Sequence, residues 1–421
     1  MLNLLWKINN FKFVALILFF VVAARAAAAE NSDHDFNTIF KAVSENSLEY
    51  KKIKSDQLLY EAQLQMATSF YYPRLGFEYR YEAFKSDAID LNGTTSNAVA
   101  EWNIFNGFRD SNAKRIAELS LQSANAQLHR FEKNLKAKTE AAYSKAYSLQ
   151  QSVRFYTEAI SANQKNLQSV KLRKQSGLVA DSDYLEFELF DSKLKLEFIS
   201  LQADHQKSLV DLKILANLDT IDFLITDLQP KLAQFKLSEY EKLLTSEKSK
   251  LYQSQLAVDV ASTVKNFGYA QFLPQVFLKA TYGRTGLKES IVNPETVFGI
   301  TAKWELFSGF DTMAQQKIYT AQLLKAETML SSDRIHFKNE IQQNVFRLNN
   351  IVERLALNLK NPMNVEKYLN TVGQEYRRGV KNSADLKSAS ELALSSLISK
   401  EHLKAEYFEL IWNLQEIVGE L

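Results

Sequence analysis

The chain has no cysteine, only 5 prolines and only 12 glycines in 421 residues. Without cysteine there is no disulfide framework, no thiolate zinc site and no thiol nucleophile, and an acylated cysteine anchor is excluded. Gly and Pro together make up about 4% of the chain, against an ordinary share of about 12%. That scarcity argues against a turn-rich all-β protein and an ordinary α/β enzyme, and for long uninterrupted helices. A charge excess of one sign is also missing. The 51 Lys and Arg face 49 Asp and Glu, which excludes a generally basic nucleic-acid binder. Catalytic patterns are lacking as well. His34, His129, His205, His336 and His402 are scattered, with no H-E-x-x-H, and neither G-x-G-x-x-G nor G-x-x-x-x-G-K-[ST] occurs. No enzymatic activity, cofactor or metal is expected, so energy for any transport comes from a partner.

Long apolar runs are absent beyond the N-terminus. There, Lys7 and Lys12 precede the run Phe13–Ala24, followed by Arg25 and Ala26–Ala29. A basic start, a short apolar stretch and small residues at Ala27 and Ala29 predict a signal peptide over 1–29, cleaved before Glu30. Twelve apolar residues fall short of the roughly 20 that span a bilayer. If the exported chain enters a membrane again, it must do so as strands.

What remains is one pattern written twice. Phe70-Tyr-Tyr-Pro73-Arg-Leu75 recurs as Gln271-Phe-Leu-Pro274-Gln-Val276. Trp102-Asn-Ile-Phe105-Asn-Gly107-Phe108 recurs as Trp304-Glu-Leu-Phe307-Ser-Gly309-Phe310, and Gly177 matches Gly379. The prolines are 201 residues apart, the Trp and Gly pairs 202. A repeat at one spacing predicts a duplicated unit of lead-in helix, two strands, very long helix and return helix. The first repeat is 30–217, with strands at about 73–82 and 97–106, a long helix over 111–176, a tip near 177 and a return helix over 181–217. A linker over 218–236, containing Pro230, joins it to the second repeat, 237–421. That repeat has strands at about 274–284 and 296–307, a long helix over 311–378, a tip near 379 and a return helix over 382–418. Apolar or small residues from Ala113 to Ile160 recur every 3.6 residues, the helical period. At 1.5 Å per residue the first long helix is a rod of roughly 100 Å. Asn361-Pro362 interrupts the second, where a kink is expected.

The strands alternate. Leu75, Phe77, Tyr79 and Tyr81 interleave with Arg74, Gly76, Glu78 and Arg80, and Phe298, Ile300 and Ala302 with Gly299, Thr301 and Lys303. A two-residue period with one apolar and one polar face suits a half-buried soluble sheet or a membrane barrel. Strand lengths of about 9–11 residues, an export signal and aromatics crowded at the strand ends favour the barrel. Trp102, Phe105, Phe108, Trp304, Phe307 and Phe310 are the candidate interface aromatics. Four strands cannot close in lipid, and barrels need about eight or more. The barrel must therefore be shared between copies, and three copies give twelve strands and twelve helical columns.

These residues resemble the TolC-like outer-membrane efflux and secretion channels. The likeness covers the doubled layout, the Pro-led strands, the W-x-hydrophobic-F-x-G-F exits and the tips Gly177-Leu-Val-Ala-Asp-Ser-Asp183 and Gly379-Val-Lys-Asn-Ser-Ala-Asp385. The resemblance implies a mainly α fold with a small β part. It implies a homotrimer, set in outer-membrane lipid, whose 12-stranded barrel continues into a 12-helix periplasmic barrel. It also implies a passive duct docking on a periplasmic adaptor, a membrane fusion protein, that couples it to an inner-membrane transporter. Gly177, Leu178, Val179, Gly379 and Val380 then meet the adaptor. Asp183, Tyr376, Lys381 and Asp385 form the periplasmic gate, with Asp183 the acidic partner, Lys381 the basic one and Tyr376 a hydrogen-bond donor. Ser388 stands where well-known members carry a second acidic residue. The same layout serves type I protein secretion, and a soluble periplasmic coiled-coil scaffold is the remaining alternative. Solvated helix ends and left-handed helix caps are the plain readings of the same charges and glycines.

Overall fold

A computed structural model describes residues 33–85, 90–177, 179–221, 223–287, 290–291, 294–360 and 362–419. The expected signal peptide and Leu178 lie outside the described residues. Most of the chain is helical, with one small sheet. In chain order the elements are β1 (Asp33–His34), α1 (Phe36–Asn46), α2 (Leu48–Thr68), β2 (Arg74–Lys85), β3 (Asp90–Asn106), α3 (Arg109–Gln175) and α4 (Asp181–Ala216). They continue as β4 (Phe223–Leu224), α5 (Leu237–Leu244), α6 (Lys250–Ala270), β5 (Gln275–Leu287), β6 (Ser290–Ile291), β7 (Glu295–Lys303), α7 (Asp311–Lys360), α8 (Pro362–Arg377) and α9 (Ser383–Val418).

The chain divides into two compact units. One comprises 33–48, 135–235 and 344–414; the other comprises 49–134, 236–343 and 415–419. The helix α3 contributes to both and runs 67 residues, because nothing in Arg109–Gln175 is Gly or Pro. Its counterpart is split. Pro362 has no N–H and fits the first position of a helix, so α7 stops at Lys360 and α8 begins at Pro362.

The unit holding the long strands has an antiparallel sheet in the order β2-β3-β5-β7, with the short β6 pairing beside β7 on β5. Its register keeps the apolar residues together. Leu75 faces Ala100, Phe77 faces Ala98, Ala100 faces Ala280, Leu278 faces Ile300 and Ala280 faces Phe298. Residues at these alternate positions share one face. The other face carries Arg80 with Glu78 and Glu82, and Lys279 paired to Glu101 at 3.3 Å. A bulge between Asn103 and Phe105 shifts the pairing so that Phe105 lies opposite Val276. The extra residue, Ile104, changes the parity of the strand and brings Phe105 onto the apolar side.

The fourth strand ends at Lys303, short of the expected 307. Lys303 is the last residue with a partner, Gln275. The next position on β5 is Pro274, which has no N–H to offer, and the Trp304 indole instead donates to the Phe272 carbonyl at 3.0 Å. The second strand starts at Asp90 rather than 97, because its polar first half pairs with β2 out to Lys85.

In the other unit, β1 and β4 pair in parallel. Two residues of α3 hold this pairing. The Gln150 side chain donates to Leu224 O at 2.8 Å and accepts from Leu224 N at 3.0 Å. The Tyr143 hydroxyl donates to His34 O and accepts from Thr226 N. Lys404 is 4% exposed, and its ammonium sits 2.7 and 2.8 Å from the two Asp227 carboxylate oxygens.

Candidate functional site

The first tip is the turn from α3 to α4. Gly177 has φ +71 and donates to Lys174 O at 3.0 Å. Gly379, between α8 and α9, has φ +76 and donates to Tyr376 O, while Val380 N donates to Glu375 O at 2.9 Å. These two bonds are a Schellman closure, which needs a left-handed residue and therefore favours Gly. Apart from its chain neighbours, no atom among the described residues lies within 4 Å of where a Cβ would sit on either glycine. Val380 is exposed, whereas Val179 is half-buried against the tip's apolar cluster of Val170, Phe187, Val372, Tyr376, Leu386 and Ala389.

The four gate candidates fall around this cluster. Tyr376 is buried, with its ring edge-on to Phe187 at 6.1 Å and the Arg173 guanidinium 5.5 Å above it. Burial pushes its hydroxyl above the usual tyrosine range, Ser383 and Arg173 work against that, and Asp183 adds to it. Ser383 does not reach hydrogen-bond geometry, so the Tyr376 hydroxyl has no hydrogen-bond partner among the described residues. Lys381, in the turn just before α9, lies 3.7 Å from Asp385 in the helix's first turn. Asp385 is further engaged: its carboxylate accepts from Asn382 N at 3.2 Å, and Asn382 Oδ1 accepts from Asp385 N at 2.9 Å. That reciprocal pair is a capping box at the start of α9. Asp183 is half-buried in the first turn of α4.

Sequence reasoning missed Arg173 and Lys174. Arg173 covers Tyr376 and donates to Arg377 O at 3.4 Å, while Lys174 pairs with Asp181 at 3.2 Å and sits over the Tyr184 ring. No motif signals such cross-helix contacts. The capping box does have a signal, the N-x-x-D spacing of Asn382 and Asp385.

The candidate aromatics occupy two matching turns. Gly107 and Phe108 have φ +60 and +63, and Gly309 and Phe310 have +66 and +70. In both turns the Phe pair, Phe105–Phe108 and Phe307–Phe310, meets edge-to-face at 5.3 Å and 87°. A Phe held at positive φ is disfavoured, so its recurrence in both turns marks a built feature. Trp102, Phe108, Trp304, Phe307 and Phe310 are exposed, as is most of the sheet's apolar face, with Leu75 at 81% and Phe298 at 75%. No helix among the described residues is long and apolar enough to cross a membrane.

Residues 242–420 match the family model described as outer membrane efflux protein. The match is confined to the second half of the chain. No curated protein matches the chain. Solved structures match over nearly its whole length. The outer membrane protein VceC from Vibrio cholerae is 16% identical, with a TM-score of 0.77 over 91% of this chain and 96% of that one. The Campylobacter jejuni CmeC outer membrane channel is 13% identical, with a TM-score of 0.80 over 91% and 85%. The Neisseria gonorrhoeae MtrE outer membrane channel, in its open state, is 14% identical, with a TM-score of 0.76 over 91% and 89%. The chain therefore has the fold that these solved structures share.

Proposed function

We propose that the chain is the outer-membrane exit duct of a tripartite efflux system. It is a passive homotrimer that docks by its helix tips on a periplasmic adaptor coupled to an inner-membrane transporter. The observation that carries this reading is the uncovered sheet. Four strands present a continuous apolar face and leave β2 and β7 as open edges. An exposed apolar face of this extent marks a membrane or protein interface, and open edges are not tolerated in lipid. Closing the edges with two further copies forms a twelve-stranded barrel, apolar outside and charged inside. The matching Gly-Phe turns and paired glycine tips support a duplicated unit, so each copy supplies two such units. A soluble scaffold would leave the apolar face in water.

In this assembly the tips at Gly177, Leu178, Val179, Gly379 and Val380 meet the adaptor, and Asp183, Tyr376, Lys381 and Asp385 close the periplasmic end. The unpartnered Tyr376 hydroxyl fits a donor that completes its bond only in the closed trimer. Lys381, held by its own Asp385, exchanges that exposed pair for Asp183 of a neighbouring copy. Conductance of the reconstituted protein in planar bilayers tests the gate. Small resting conductance that rises in Asp183→Ala and Lys381→Ala is expected. Unchanged conductance in both variants removes these residues from the gate, and a protein that never conducts is not a duct.

A further inference from the structure

A cleft of about 330 Å³ lies where the first strand pair meets α3, lined by Tyr71, Trp102, Phe105, Phe108, Asn103 and Asp110 among others. Its walls are largely aromatic, and its amide and hydroxyl donors are engaged by Asp110 and the Phe108 carbonyl. The Asp110 carboxylate accepts from Asn103 Nδ2 at 2.6 Å and from Asn106 Nδ2 at 3.2 Å, and no Lys or Arg among the described residues forms an ion pair with it. Asn103 Oδ1 is buried with no hydrogen-bond partner among the described residues. A buried acceptor left unpaired beside an unneutralised carboxylate calls for a cationic N–H donor. Aromatic faces around it add cation–π attraction. One turn on from Asp110, Lys114 Nζ lies 5.6 Å from the Tyr71 ring centroid and pairs with Glu118 at 3.7 Å.

The turn itself does not require this chemistry. The second turn adopts the same pair of positive φ values at Gly309 and Phe310, yet Ser308 and Thr312 stand where the first has Asn106 and Asp110. Their hydroxyls meet at 2.7 Å and supply no charge. The second turn carries Glu305 in place of Asn103 and Asp311 in place of Arg109, so the pairing of the Asp110 carboxylate with the Asn103 amide is particular to the first turn.

We propose that this cleft binds the headgroup of a phospholipid bearing a primary ammonium. The ammonium gives N–H bonds to Asp110 and Asn103 among the aromatic rings, and Lys114 meets the phosphate. The inference rests on the outer-membrane reading above, which puts the aromatic strand ends at the bilayer interface, where amphipathic rings collect. Native mass spectrometry tests it on the full-length assembly in nanodiscs containing phosphatidylethanolamine, phosphatidylcholine and phosphatidylglycerol in equal parts. Phosphatidylethanolamine should be retained after detergent washing in preference to phosphatidylglycerol by about tenfold or more, the scale of a charge-assisted hydrogen bond. Asp110→Asn should remove that preference, and Asn103→Ala should weaken it, each at unchanged assembly mass. Equal retention of phosphatidylcholine would overturn the assignment, because a quaternary ammonium has no N–H for Asn103. So would undiminished phosphatidylethanolamine retention in Asp110→Asn. A protein that fails to enter nanodiscs at all contradicts the membrane reading. One that enters without lipid preference contradicts the lipid site alone.

Discussion

Single residues separate conformation from contact. A Cβ on Gly283 would collide with Asn97 Oδ1 and with Ser96 O, the latter being backbone that cannot turn aside. A Cβ on Gly299 would meet nothing within 4 Å. Gly283→Ala should therefore disrupt the β3–β5 pairing and deplete assembled protein, whereas Gly299→Ala should leave yield and thermal midpoint unchanged. Heat-modifiability on gels reads both. Gly379→Ala meets no atom but must hold φ +76, so its expected cost is about 1–2 kcal/mol in local stability. Faster amide exchange confined to the tip would show it. His205 is the residue with an acid-side signature. Its Nε2 is buried without a hydrogen-bond partner among the described residues, and desolvation lowers its pKa below 6.5. A histidine kept neutral in the fold but protonated more readily when unfolded contributes stability above the unfolded pKa. That contribution is lost as pH falls below about 6.5 toward the lowered native value. His205→Gln should flatten the fall in melting temperature over that window, and an unaltered pH profile would contradict the assignment.

At the scale of elements, the mostly helical chain with a small sheet was legible, and the reasons are physical. Helical periodicity from Ala113 to Ile160 and the absence of Gly and Pro leave α3 no place to stop before Gly177. Alternation in Leu75–Tyr81 is a two-residue signal that needs no tertiary knowledge. The pairing of β3 with β5 across the two repeats, and the bulge at Ile104, were not legible, because period two is satisfied on either side of a parity change. At the tips, glycine spacing reveals the turns, while the contacts of Arg173 and Lys174 depend on how neighbouring helices present long side chains. The linker makes its own test. Lys404 is buried and neutralised chiefly by Asp227, with Glu401 farther away at 3.4 Å. Asp227→Asn leaves an ammonium short of its main counter-charge and should cost about 1–3 kcal/mol, read as a lower denaturation midpoint. Asp227→Asn combined with Lys404→Met should recover part of it, because replacing both partners is less damaging than orphaning one.

For the whole molecule, the account turns on closure. The sheet has two open edges and an uncovered apolar face, and a single copy satisfies neither. Bulky substitutions at Gly177 or Gly379 should abolish export while leaving assembled protein in the outer membrane, since a Cβ on either glycine meets no atom among the described residues apart from its chain neighbours. Normal export by both variants would refute docking at the tips. The most direct measurement is the protein mass of the complex extracted from outer membranes in mild detergent, by light scattering corrected for bound detergent. The account predicts three protomers. A monomer, or a protein recovered wholly from the soluble periplasm, would contradict it.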